Sequence, residues 1–185
     1  MVSFAQVIFP ILAAAVLVFI ASSLIHTVIK YHKAEYKPLP NEDDVRAVVR
    51  AGGVGPGQYI IPYCADPKQM QSDAMKQKLI EGPVGALIVR ANGSISMGPM
   101  LGSWFVLNLF VAAAAGYLAC STLPPGAYLG AARLVGGVTF LAYGVGSISN
   151  AIWWGKPWSA TFKELIDAFI YGVVTALAFA WLWPR

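Results

Sequence analysis

Four stretches of the chain are apolar almost without interruption, and most of the polar residues gather between the first and the second. The stretches cover residues 4–29, 100–118, 128–148 and 162–182. Each matches or approaches the roughly 20 helical residues needed to cross about 30 Å of hydrocarbon. The pattern therefore predicts four membrane-spanning helices. The first is positioned like a secretory signal. However, no basic residue precedes it, its apolar run exceeds a signal core and no small-residue cleavage site follows, so it is expected to remain as a helix. Between the second and third spans, Thr122-Leu123-Pro124-Pro125-Gly126 denies the backbone the donors a helix needs. A short turn there makes those two spans a hairpin.

Residues 30–99 hold nine of the thirteen basic and seven of the nine acidic residues, too many charges for a membrane segment. Pro38 and Pro40 stop whatever continues from the first span, and Asn41 is then a natural N-cap. Glu42, Asp43 and Asp44 fall in the first turn, where the helix dipole favours negative charge. Val45, Val48 and Val49 give that helix an apolar stripe, and Gly52-Gly53 ends it. Residues 59–64 and 84–90 are extended in character, with a second helix expected over 67–80. The expected fold is thus an all-α membrane protein, a four-transmembrane-helix bundle with a small α+β cytoplasmic insert between the first and second spans. About 70 residues bury only a marginal core, so the insert is expected to lean on the membrane helices or on a protein partner.

Composition agrees with the pattern. Of 185 residues, 57% are hydrophobic and 12% charged, about half the charged share of a soluble domain, roughly 25%. A mean hydropathy of +0.62 excludes a disordered or collagen-like chain. The net charge of +4 is distributed as topology requires and makes no case for nucleic acid. Lys30, Lys33, Lys37 and Arg90 flank the first connector, and Lys156 and Lys163 lie around the third. The positive-inside rule then puts both connectors in the cytoplasm and both termini outside, in the periplasm of a bacterial inner-membrane protein. Trp153, Trp154 and Trp158 at one interface, with Trp181 and Trp183 at the other, suit aromatic belts. Cys64 and Cys120 belong to segments at different depths or on opposite sides, and no disulfide is expected.

The chemical motifs are sparse. Gly52-Gly53-Val54-Gly55-Pro56-Gly57 lacks the Gly-Lys-Ser/Thr ending of a phosphate loop and precedes a strand, so it reads as a turn, as does Asn92-Gly93-Ser94. His26 and His32 are six residues apart; in a continuous helix that is about 600° of rotation, and one face cannot present both to one ion. No metal, haem or other cofactor is expected, only bound lipid. Polar residues inside spans are costly, and His26, Asn150, Glu164 and Asp167 share the cytoplasmic depth. They form either a proton- or cation-handling cluster or interhelical glue, the latter helped by a Thr161-x-x-Glu164 capping box and a Lys163–Asp167 pair. Asn108, deep in the second span, is expected to cement packing. Arg133, near the outer end of the third, has only the terminal carboxylate or lipid phosphate to meet. Gly98-x-x-x-Gly102, Gly126-x-x-x-Gly130, and Gly136, Gly137, Gly144 and Gly146 allow close helix approach, which makes the third span the expected centre of the bundle. No Ser/His/Asp, Cys/His or paired-carboxylate site is evident.

Several stretches carry a resemblance: Ser22-Ser23-Leu24-Ile25-His26 followed by Tyr31-His32-Lys33-Ala34-Glu35-Tyr36, Leu39-Pro40-Asn41-Glu42-Asp43, Pro56-Gly57-Gln58-Tyr59, Ser96-Met97-Gly98 and the ending Trp181-Leu182-Trp183-Pro184-Arg185. On these the chain resembles a family of uncharacterised bacterial inner-membrane proteins with four spans. The resemblance implies bacterial origin and topology and transfers no functional site. The expected role is an accessory, scaffold or assembly subunit that meets a partner through the insert or the bundle. The alternative is a small oligomeric transporter or channel for protons or cations using His26, Asn150, Glu164 and Asp167. A third option, an enzyme acting on lipid headgroups, has only Tyr36, His32 and Glu35 as clustered candidates.

Overall fold

The computed structural model describes residues 1–185. Four of its helices are long and apolar enough to cross a membrane, and the chain is a multi-pass membrane-spanning bundle. The first span, Phe4–Ile29, opens with a 3-10 turn, continues as α1 (Ile8–Leu24) and ends in a π-helical turn. The others are α4 (Met97–Thr122), α5 (Tyr128–Trp154) and α6 (Trp158–Leu182). The first span keeps its expected limits, whereas the other three start or finish beyond theirs, because the flanking polar and aromatic residues continue the helical turns. In particular, α6 begins just after Pro157, and the Thr161 hydroxyl bonds back to the Pro157 carbonyl. The expected Thr161-x-x-Glu164 capping box is therefore absent: Thr161 is already inside the helix.

Helix α1 packs against α4 and α6, and α5 against α4 and α6, which closes a ring of four. No single span is central, contrary to expectation. Outward-facing side chains such as Phe9, Phe110, Phe169 and Leu177 are apolar and exposed, as lipid contact requires. Inside, one half of the bundle is filled by Val7, Ile11, Ala14, Ala115, Ala119, Val135 and Phe179. The other half holds a polar and aromatic set. There the Trp104 indole donates to Ser22 Oγ at 2.8 Å and Tyr143 Oη to Asn108 Oδ1 at 2.7 Å. Tyr143 and Tyr171 meet edge to face, 5.3 Å between centroids.

Only some of the glycines the spacing singled out let helices approach, and two that do, Gly116 and Gly172, were not among them. A Cβ on Gly172 would lie 2.8 Å from the Gly136 carbonyl, and one on Gly116 would lie 3.0 Å from Ile11. Gly136 and Gly144 do face close neighbours, whereas Gly98, Gly102, Gly137 and Gly146 face open space. Gly126 serves the α4–α5 turn at φ +77°, and a Cβ on Gly130 would first meet Leu123 and Ala127 of its own hairpin. Sequence spacing fixes that two glycines share a face; it does not fix which face meets a helix.

Across that turn the tail forms a latch, with the Trp183 indole donating to the Pro124 carbonyl at 3.1 Å and the Gly126 amide to the Pro184 carbonyl at 2.8 Å. Trp183 is consequently buried and is not a belt residue, unlike the exposed Trp153, Trp154, Trp158 and Trp181. Arg133 is exposed and pairs with no carboxylate.

Residues Lys37–Ile95 form a separate unit. It consists of α2 (Glu42–Ala51), strand β1 (Gly57–Ile61), a 3-10 turn, α3 (Asp73–Glu81) and strand β2 (Gly85–Val89). The strands pair antiparallel, Gly57 opposite Val89 and Ile61 opposite Gly85. Asn41 precedes α2 without a side-chain cap bond, and the helix ends at Gly52, followed by Gly53 in the left-handed conformation at φ +65°. Met75 is the unit's one buried side chain. Both cysteines are free thiols.

Candidate metal centre

The site is created where the first span stops being a regular helix. Ser22 and Ser23 both donate their hydroxyls to the Phe19 carbonyl, at 2.9 and 2.8 Å, and Thr27 donates to the Ser23 carbonyl at 2.6 Å. Such back-bonding competes with the helical ladder and bends it. The ladder then slips into a π turn over Ile25–Ile29, closed by the Lys30 amide on the Ile25 carbonyl at 2.8 Å. Lys30 follows in the left-handed conformation, φ 55°, and is the one non-glycine residue of the chain with positive φ. The chain reverses there and enters a 3-10 turn, Tyr31–Glu35.

This reversal overturns the expectation that His26 and His32 cannot serve one site. That argument assumed continuous helix; the π turn and the left-handed residue reset the rotation. The two imidazoles stack with centroids 4.9 Å apart and planes 2° from parallel. Asp167, buried on α6, completes the group, and the candidate ligand atoms of His26, His32 and Asp167 lie within 4.8 Å of one another.

Each group carries an orienting partner. His26 Nδ1 lies 2.9 Å from the Ser22 carbonyl, which only accepts, so Nδ1 holds the hydrogen and a neutral ring presents its lone pair at Nε2. His32 Nδ1 lies 2.9 Å from Glu35 Oε1, and its Nε2 lies 2.8 Å from Asp167 Oδ2. The Tyr31 hydroxyl donates to Asp167 Oδ1. Lys163 Nζ donates to the Tyr31 carbonyl at 2.7 Å and lies 3.3 Å from Glu35 Oε1, tying the 3-10 turn to α6. A histidine held at one nitrogen by a carbonyl or carboxylate is the usual outer arrangement of a metal site; His32 Nε2 is here bonded to Asp167 itself, and an ion would replace that hydrogen bond.

Ligand atoms around a tetrahedral ion with bonds of about 2.0 Å are roughly 3.3 Å apart. To reach that spacing the His32–Asp167 pair, now at 2.8 Å, opens by about half an ångström. The widest separation, 4.8 Å at most, closes by about 1.5 Å. Two imidazoles and one carboxylate suit zinc or a similar divalent transition ion, with positions left for water or substrate.

Of the four residues expected to cluster, only His26 and Asp167 come together. Glu164 instead pairs with Lys156 across the α5–α6 connector. Asn150 is exposed and its backbone carbonyl accepts from the amides of Gly155 and Lys156. The expected Lys163–Asp167 pair is also absent, since Lys163 is engaged by Glu35 and Tyr31. Sequence reasoning missed His32, Tyr31 and Lys163 as members, although the headgroup-enzyme option had named His32 and Glu35. Asn108 does cement packing: its Oδ1 takes the Tyr143 hydroxyl, while its Nδ2 is buried without a partner. Comparisons with protein-family models, curated proteins and solved structures find no match for the chain.

Proposed function

We propose that this membrane-spanning bundle is a metal-binding protein that holds a divalent transition ion through His26, His32 and Asp167 at one end of the bundle. The observation that carries the reading is the pair of outer partners, the Ser22 carbonyl on His26 Nδ1 and the Glu35 carboxylate on His32 Nδ1. Asp167 supplies the third donor, and the candidate ligand atoms of the three residues lie within 4.8 Å of one another. Such a centre suits an accessory subunit of a bacterial inner-membrane complex, one that holds or hands on an ion. A conduit through a single copy is less well supported, because close-packed apolar side chains fill the far half of the bundle.

The test is a Co²⁺ titration of the chelator-treated, purified protein, followed by visible absorption. One ion per chain is expected, with the intense bands of a low-coordinate nitrogen and oxygen site. His26→Ala and His32→Ala abolish those bands. Glu35→Gln, which removes only an orienting partner, weakens affinity by about 10–100-fold. A cobalt spectrum that stays that of the aqueous ion with the folded wild-type protein overturns the proposal, as does binding indifferent to all three substitutions.

A further inference from the structure

Beside the two histidines is a pocket lined by His26, Lys30, His32, Lys33 and Tyr36. It contains no carboxylate. The two acids nearby are already engaged: Glu35 with His32 and Lys163, and Asp167 with His32 and Tyr31. Lys30 and Lys33 pair with no acidic side chain of the chain, in contrast to Lys76, Lys156 and Lys163, which do. Counting Lys30, Lys33 and Lys163 against Glu35 and Asp167 leaves one positive charge in excess, and a divalent cation raises the excess to about three. Besides the two imidazoles, the lining offers two ammonium groups and a phenol, donors all. Lys30 occupies the left-handed position that glycine would hold without strain, so a charged side chain stands where the backbone gives no reason for one.

Resting on the metal reading above, we infer that the pocket binds a phosphoryl group, with its oxygens shared between the metal ion and the ammonium groups of Lys30 and Lys33. A phosphate monoester carries nearly two negative charges and three acceptor oxygens, which matches both the surplus charge and the row of donors. When bound, the ion would act as a Lewis acid toward one of those oxygens. Lys30, Lys33 and Tyr36 would orient the others. The site lies just past the end of the first span, at the bundle end that carries the exposed Trp153, Trp154 and Trp158. That is the level of lipid phosphates, so the group can arrive on a lipid headgroup or from water.

The experiment uses the full chain, loaded with Co²⁺, in nanodiscs of phosphatidylcholine. One arm adds inorganic phosphate; the other replaces part of the lipid by phosphatidic acid. A change in the cobalt absorption bands is expected in at least one arm: a response to phosphatidic acid alone identifies a headgroup, and a response to inorganic phosphate identifies a soluble ligand. Lys30→Asn keeps a residue that tolerates the left-handed conformation and removes the charge; with Lys33→Gln it weakens the phosphoryl response about tenfold or more while cobalt still binds. Retained cobalt binding also shows that these variants fold. Cobalt bands unmoved in both arms overturn the inference and leave the metal reading standing, as does a response indifferent to both lysine substitutions. Loss of cobalt binding in the wild-type protein overturns both.

Discussion

Replacing Gly172 by alanine tests how the bundle is held together. The added Cβ would lie 2.8 Å from the carbonyl oxygen of Gly136 and 3.5 Å from Phe140 Cβ. The first neighbour is backbone and cannot rotate aside, so α5 and α6 have to separate by several tenths of an ångström along their shared face. Overpacking of this kind costs about 1–3 kcal/mol, against a gain of up to about 1 kcal/mol for removing a glycine from a helix. Gly137, one position from Gly136, faces open space, and its alanine keeps the gain without the clash. The two substitutions are chemically identical, so the helix gain cancels between them and they should differ by the overpacking cost of about 1–3 kcal/mol, with Gly172→Ala the less stable and Gly137→Ala neutral or more stable than wild type. Reversible unfolding in mixed micelles, followed by tryptophan fluorescence and far-ultraviolet circular dichroism, measures both. If Gly172→Ala proves as stable as Gly137→Ala, the close approach of α5 and α6 is refuted.

Three further outcomes are expected. Tyr143→Phe removes the one side-chain partner of buried Asn108 and should cost about 1–3 kcal/mol in the same assay; adding Asn108→Leu should recover much of the loss, and a further drop would contradict the account of that hydrogen bond. Glu164→Gln and Asn150→Ala, outside the histidine cluster, should leave Co²⁺ affinity within about twofold of wild type, whereas a large loss in the titration would restore the broader four-residue cluster. A phosphatase reporter joined after Arg185 should be active only outside the cytoplasm, and the same reporter placed in the insert should be silent; the reverse pattern would invert the topology inferred from the lysines.

The spans and the hairpin were legible because length and hydropathy decide them, and because Pro124-Pro125 leaves the backbone few choices. The insert's helices and strands came close for the same kind of reason, a cap candidate here and a glycine pair there. The centre was only half legible. Asp167 and His26 stood out as costly polar residues inside spans, but their meeting with His32 depends on a π turn and on a lysine at positive φ, and a lysine gives no sign of that conformation. The run of Ser22, Ser23 and Thr27 was the available clue, since hydroxyls that bond backward loosen a helix. Glycine spacing found Gly136 and Gly144 but not Gly172, the partner of Gly136, because the decisive contact is between helices and no interval along one helix encodes its neighbour.

The latch formed by Trp183 and Pro184 on the α4–α5 turn bears on biogenesis. The connector at Pro124 and Gly126 is synthesised some 59 residues before the groups that satisfy it. During insertion, then, its carbonyl and amide must find water or headgroups as temporary partners, and this end of the bundle cannot close until the nascent chain has grown to residue 184. The last residues to be made thus complete a turn laid down two spans earlier.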